Sequence, residues 1–118
     1  MNIESLREYC LSKKGTTEGF PFDESALVFK VMGKMFAITN VDNPVSVNLK
    51  CDPEYALELR DRYPEQITGG WHMNKKHWNT VSYIGPLRDQ EFTALIDHSY
   101  DLVVAKLKKA DRETLLGN

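Results

Sequence analysis

Residues 71–80, Trp-His-Met-Asn-Lys-Lys-His-Trp-Asn-Thr, place two tryptophans, two histidines, two lysines and two asparagines between Gly69-Gly70 and an apolar run. Side chains of these types could ligate a metal, assist catalysis through imidazole, or contact a nucleic acid. Spacing speaks against the metal. His72 and His77 are five positions apart, which sets them on opposite faces of a strand or about 140° apart on a helix, whereas zinc-binding pairs converge. His98, Cys10 and Cys51 have no partner at a ligating offset. Neither a metal nor a cofactor is expected.

Catalysis has equally little support. Cys51 or Ser99 could act as a nucleophile with His77 or His98 as base, yet no GxSxG, P-loop or dinucleotide glycine motif accompanies them. Ser99 falls on the apolar stripe of a helix, where a small residue permits close packing on a sheet, and Cys51 reads as a small hydrophobe. A non-enzymatic protein is expected, with no catalytic residues.

The nucleic-acid reading rests on local charge. The whole chain carries a net charge of −2, but no acidic residue occurs between Glu65 and Asp89, where Lys75, Lys76 and Arg88 accompany His72 and His77. Lysines can hold phosphates, Asn74 and Asn79 can bond backbone oxygens or base edges, and Trp71 or Trp78 could stack on an unpaired base. Two lysines fall short of the roughly six to ten phosphate contacts of strongly salt-dependent binders, so contacts from one monomer are expected to be weak. Trp78 is expected to be a core anchor on a strand, since a tryptophan buries a large apolar area.

The elements that must position these residues follow from periodicity. Asn2 can cap a helix over residues 3–13 in which Ile3, Leu6 and Cys10 share a face, with Gly15 ending it. The stretch 19–31 and the stretch 34–41 are rich in aromatic and β-branched residues and read as a hairpin turning near Gly33. Beyond Asp42-Asn43-Pro44, Val45, Val47 and Leu49 alternate with Ser46, Asn48 and Lys50, the signature of a strand with one wet face. Asp52-Pro53-Glu54 is a helix start running to about Tyr63. Residues 66–74 fit strand or loop, and 77–84 read as a strand. Asp89 begins the longest helix, whose face is Phe92, Leu95, Ile96, Ser99, Val103 and Leu107, and a short helix is expected over Asp111–Leu116.

The order is helix, three or four strands, helix, two strands, long helix. Together these argue for an α+β domain spanning residues 1–118, its antiparallel sheet covered by helices on one face. A chain of 118 residues, 42% hydrophobic and 27% charged, suits one folded domain. The start lacks the features of a signal peptide and no stretch is apolar enough for a membrane helix, so the cytoplasm is expected and no membrane partner.

Taken together, FPF at 20–22, VFKVMGKMFAI at 28–38, VSVNLKCDPEYALELR at 45–60, HMNKKHWNTV at 72–81 and LIDHSYDLVVAKL at 95–107 resemble the MmcQ/YjbR family of small bacterial proteins. The resemblance implies an α+β fold similar to that of secretion chaperones, and DNA binding in which two wing-like hairpins flank the duplex. Carried onto this chain, it points to Asn74, Lys75, Lys76 and His77, with Lys50 and Lys34 as neighbours on strands. Two partner classes follow: DNA, or a protein held by a chaperone-like module with no nucleic-acid role.

Overall fold

Asn2 opens the first helix by accepting a hydrogen bond from Ser5 N–H while the Ser5 hydroxyl takes the Asn2 N–H, a reciprocal cap that satisfies two otherwise orphaned donors. The structure is a computed structural model and describes residues 1–117. Helix α1 (Ile3–Ser12) is followed by strands β1 (Thr16–Gly19), β2 (Ala26–Val31), β3 (Lys34–Asn40) and β4 (Ser46–Lys50). Then come helix α2 (Pro53–Arg62), strands β5 (Ile67–Gly69) and β6 (Trp78–Ser82), and helices α3 (Asp89–Ala105) and α4 (Lys109–Leu116). The α+β class holds, and the terminal helix begins two residues earlier than Asp111.

All strand pairs are antiparallel in a six-stranded sheet of order β1-β2-β3-β4-β6-β5. The ambiguous stretch before Trp71 resolves into the short edge strand β5, which leaves β6 inserted between β5 and β4. Helix α3 crosses β2, β3 and β4, α1 lies on β1, and α2 lies on β5. Leu6, Cys10, Phe29, Phe36, Val47, Leu49, Ala56, Leu59, Val81, Phe92 and Ile96 join in a single buried cluster between helices and sheet. Alternation along each strand then turns the remaining side chains to the opposite, helix-free face.

The β2–β3 turn is Met32-Gly33, and both residues have positive φ, 48° and 82°, as a two-residue loop of mirror-image twist requires. A Cβ at Gly33 would meet nothing within 4 Å, so only backbone conformation opposes a side chain there. Gly33→Ala is expected to lower stability by about 1–2 kcal/mol, the cost of a left-handed alanine. An unchanged denaturant midpoint for that variant would contradict this turn.

A β-bulge interrupts the same pair between Phe29 and Lys30. There Phe36 and Ala37 together oppose Phe29, so two consecutive side chains both enter the core. Phe36 meets the Tyr100 ring edge-on at 5.4 Å. The bulge also stops β3 from pairing with β4 beyond Ala37↔Leu49. The Ser99 hydroxyl of α3 fills the break, accepting from Lys50 N–H at 2.9 Å and donating to the Phe36 carbonyl. Ser99 thus does more than permit close packing: it joins two strands where their ladder ends.

Candidate functional site

The wet face read from β4 continues across the sheet. Cross-strand pairing sets Asn48 opposite Thr80 and Lys50 opposite Trp78, all on the helix-free side. Lys30 and Met35 pair on the same side of β2 and β3. Trp78 is only 7% exposed, but it stands outside the hydrophobic core cluster. Its expected burial on a strand therefore holds, but the anchor sits on the helix-free side of the sheet. Its place in the period-two pattern, beside Thr80 and Ser82, turns it away from the helices, and it is covered by the Gly70 backbone and the Lys50 side chain instead. A Cβ at Gly70 would come within 2.7 Å of Trp78 Cβ, and Lys50 Nζ lies 5.9 Å from the centre of the indole ring.

At this end of the face, Lys34 from the start of β3, Lys50 from the end of β4 and Lys106 just beyond α3 surround one pocket of about 330 Å³ with Met35, Trp78 and Val103. No carboxylate lines it. Among the described residues, none of these three lysines forms an ion pair. Burial, and after it the neighbouring Lys106 charge, push the Lys50 ammonium below its ordinary value. An anion seated among the three would relieve that repulsion.

The expected residues of the 74–77 turn divide in their roles. Asn74 is occupied in shaping the turn, its side chain accepting from Lys76 N–H and its carbonyl from the N–H groups of His77 and Trp78. The Lys75 ammonium donates to the Gly70 carbonyl at 3.1 Å, and the Lys75 carbonyl accepts from Arg60. The His77 carbonyl takes Cys51 N–H at 2.8 Å, which ties the turn to the strand end bearing Lys50. Lys76 is exposed on that turn. Lys34 and Lys50 are thus brought together, Lys76 stands exposed on the turn that His77 ties to Cys51, and Asn74 and Lys75 serve mainly to hold the loop.

Beyond these lysines, the open face forms a trough of about 530 Å³ over β3, β4 and β6. Its floor includes Ile38, Ser46, Asn48 and Thr80, and two loops wall it, one bearing Phe22 and the other Trp71 and His72. Asn48 and Thr80 fix the second wall. Trp71 N–H donates to Thr80 Oγ1 at 2.9 Å, the Thr80 hydroxyl donates to Asn48 Oδ1, and Asn48 Nδ2 donates to the Trp71 carbonyl at 3.3 Å. His72 adopts a left-handed φ of 59°, and its ring sits 4.5 Å from that of Trp71. The first wall is held where Asp23 accepts from the N–H groups of Ser25 and Ala26, and the Ser25 hydroxyl bonds Asp42.

Phe22, Met35, Thr80 and Lys106 escape a reading of the sequence as candidate site residues because their neighbours on this face lie far away in the chain. The signal for extending the site was the alternation Ser46, Asn48, Lys50, which marks a wet strand face whose flanking strands must supply further lining. The histidines, for their part, are dispersed. His72 walls the trough and His77 lies in the turn, while His98 Nε2 accepts from Asp52 N–H at the start of α2 and packs edge-on against Tyr55.

Comparison with known proteins places this geometry among relatives. A family model described as YjbR matches residues 11–102. The chain is 35% identical over 117 residues to YjbR of Escherichia coli strain K12, covering 98% of each protein. It is 25% identical over 114 residues to YyaQ of Bacillus subtilis strain 168, covering 84% of this chain and 95% of that protein. Among solved structures it superposes on the Deinococcus radiodurans protein DR2400 with a TM-score of 0.88 at 40% identity, over 96% of this chain and 86% of the other. A Pseudomonas syringae protein follows at a TM-score of 0.73 and 31% identity, over 86% of this chain and 98% of that one.

Proposed function

The chain belongs to the YjbR family, and from that premise we propose that it is a non-enzymatic DNA-binding domain that holds phosphates weakly at the lysine-bearing end of its open sheet face. The observation that carries this reading is the convergence of Lys34, Lys50 and Lys106, from three separate elements, on one pocket without a carboxylate. Phosphate oxygens supply the charge these ammonium groups lack, and Lys76 on the adjoining turn extends the contact. The Asn74–His77 loop contributes mostly by keeping that turn in place. Cys10 and Cys51 are free and buried, which suits a reducing compartment such as the cytoplasm.

The test is fluorescence anisotropy with labelled DNA across a salt series. A site neutralising about three phosphates gives a log–log slope near −3, and Lys50→Ala/Lys106→Ala is expected to reduce that slope by about two while weakening all sequences alike. Equal binding by wild type and double variant, or no binding by either at low salt, would remove this reading.

A second reading, a protein-interaction module, draws on the exposed apolar side chains of Phe22, Val45 and Trp71 beside the open face. Under it, a partner is retained after nuclease treatment and lost in Trp71→Ala. No helix among the described residues is long and apolar enough to cross a membrane.

A further inference from the structure

We propose that the trough takes the base of an unpaired nucleotide, so that the nucleic acid recognised is single-stranded, with phosphates on Lys34, Lys50 and Lys106 and one base against Trp71. This deepens the DNA-binding reading and rests on it. The two hollows are adjacent: Met35 lines both the lysine pocket and the trough, and Asn48 and Lys50 are alternate residues of one strand. A ligand long enough to span them meets ammonium groups first and aromatic faces second, as a nucleotide requires.

The walls suit a planar ring. Trp71 is 69% exposed and Phe22 66%, so both present free faces, and neither belongs to the buried core. The Trp71 peptide group is held through Asn48 and Thr80, so the loop stays fixed, and the indole, which meets the His72 ring at 4.5 Å, remains largely exposed for a base to stack on. Ser46, Asn40 and Asn43 line the trough and offer donors and acceptors for a base edge. Duplex DNA keeps its bases stacked and paired, and so cannot place one here without unstacking it.

Charge sets the direction and the length. Asp23 lines the far part of the trough, and the Asp42 carboxylate bonds Ser25 beside it. A strand entering over the lysines is therefore opposed at the other end, which favours one base bound at the strand's end or at a sharp turn over a backbone running straight through.

The experiment compares an oligothymidylate of about 12 nucleotides, an abasic strand of equal length and a duplex of equal length at the same low salt. Anisotropy reports affinity and tryptophan fluorescence reports stacking. The oligothymidylate is expected to bind about tenfold more tightly than the abasic strand or the duplex and to quench tryptophan emission, since only it offers a base to stack on the indole. Trp71→Phe should keep the preference, and Trp71→Ala should bring it within about threefold. If oligothymidylate and abasic strand bind equally, yet both weaken in Lys50→Ala/Lys106→Ala, the trough assignment fails while the phosphate reading stands. If no strand binds, both fail. A concentration-dependent dimer that Trp71→Ala dissociates, without preference among the DNAs, would also overturn the assignment, with a second copy as the occupant.

Discussion

Ser99→Ala is expected to lower the unfolding free energy by roughly 2–4 kcal/mol, although it removes a single oxygen atom. That oxygen satisfies two backbone groups at once, Lys50 N–H and the Phe36 carbonyl, and Ser99 is wholly buried. Water cannot take its place without opening α3 from the sheet, so alanine would leave a buried donor and a buried acceptor unpaired. The measurement is a shift of denaturant midpoint at constant slope. Ser12→Ala, which removes an exposed hydroxyl from the end of α1, should stay within about 0.5 kcal/mol. A Ser99→Ala loss no larger than the control would contradict the bridge. Because Lys50 lies at the strand end that Ser99 secures, the DNA-binding proposal further expects the variant to bind DNA more weakly than its remaining folded fraction accounts for.

Alkaline pH is expected to have an effect of similar size. Burial pushes the Cys10 thiol up to about 12 and the Cys51 thiol up to about 11. Both ionise near pH 9 once the chain unfolds. Between those values the unfolded state binds fewer protons than the folded one, so unfolding becomes easier as pH rises. Stability is fully present below about pH 9 and then falls by about 1.4 kcal/mol per pH unit for each thiol, or roughly 2–3 for both. Tyr83, whose hydroxyl is pushed up chiefly by burial, adds to the decline at still higher pH. Denaturant titrations across this range measure the slope, and Cys10→Ala/Cys51→Ala should flatten its first part. A native protein whose stability is level from about pH 9 to 10 would contradict the burial of these thiols. At acid pH the sign reverses. Glu18, held low by the hydrogen bond from Arg7, and Glu91, held low by Arg88, contribute stability that fades as they protonate. Both lie at the surface, so that fading should be shallow.

Much of the architecture was legible in the amino-acid order because it is set locally. Asn2 with Ser5, Asp52 with Pro53, and the turn at Gly33 act through neighbours a few residues away. The alternation of Val47 and Leu49 with Ser46, Asn48 and Lys50 names both faces of β4 without reference to any other strand. Val45 breaks that pattern: it precedes the strand and is exposed beside the trough, because pairing begins only at Ser46.

The site was legible only in part. Residues Asn74–His77 form one turn, but reading their types did not reveal that Asn74 and Lys75 are engaged with the backbone. The sequence places Trp78 on a strand as a buried anchor but does not say which face of the sheet buries it. Its residue type argues for burial, which it has, while the face is decided by register against β4, where it meets Lys50.

By itself, then, the sequence determined most of the elements, the caps at Asn2 and Asp52, the turn at Gly33, the α+β class and the kinship with the YjbR family, since these rest on short-range periodicity or on matched segments. It did not show strand β1 (Thr16–Gly19), nor that the strand after it is confined to Ala26–Val31. Tertiary structure alone decided the rest. The bulge at Phe36 ends one ladder and calls in Ser99, and the insertion of β6 beside β4 sets Trp78 against Lys50. The sheet order joins Lys34 and Lys50 at one end, the packing of α3 on that sheet adds Lys106, and the loops bearing Phe22 and Trp71 gather around one trough. These contacts link residues far apart in the chain, and their free energy comes from packing and strand register, which no local pattern encodes.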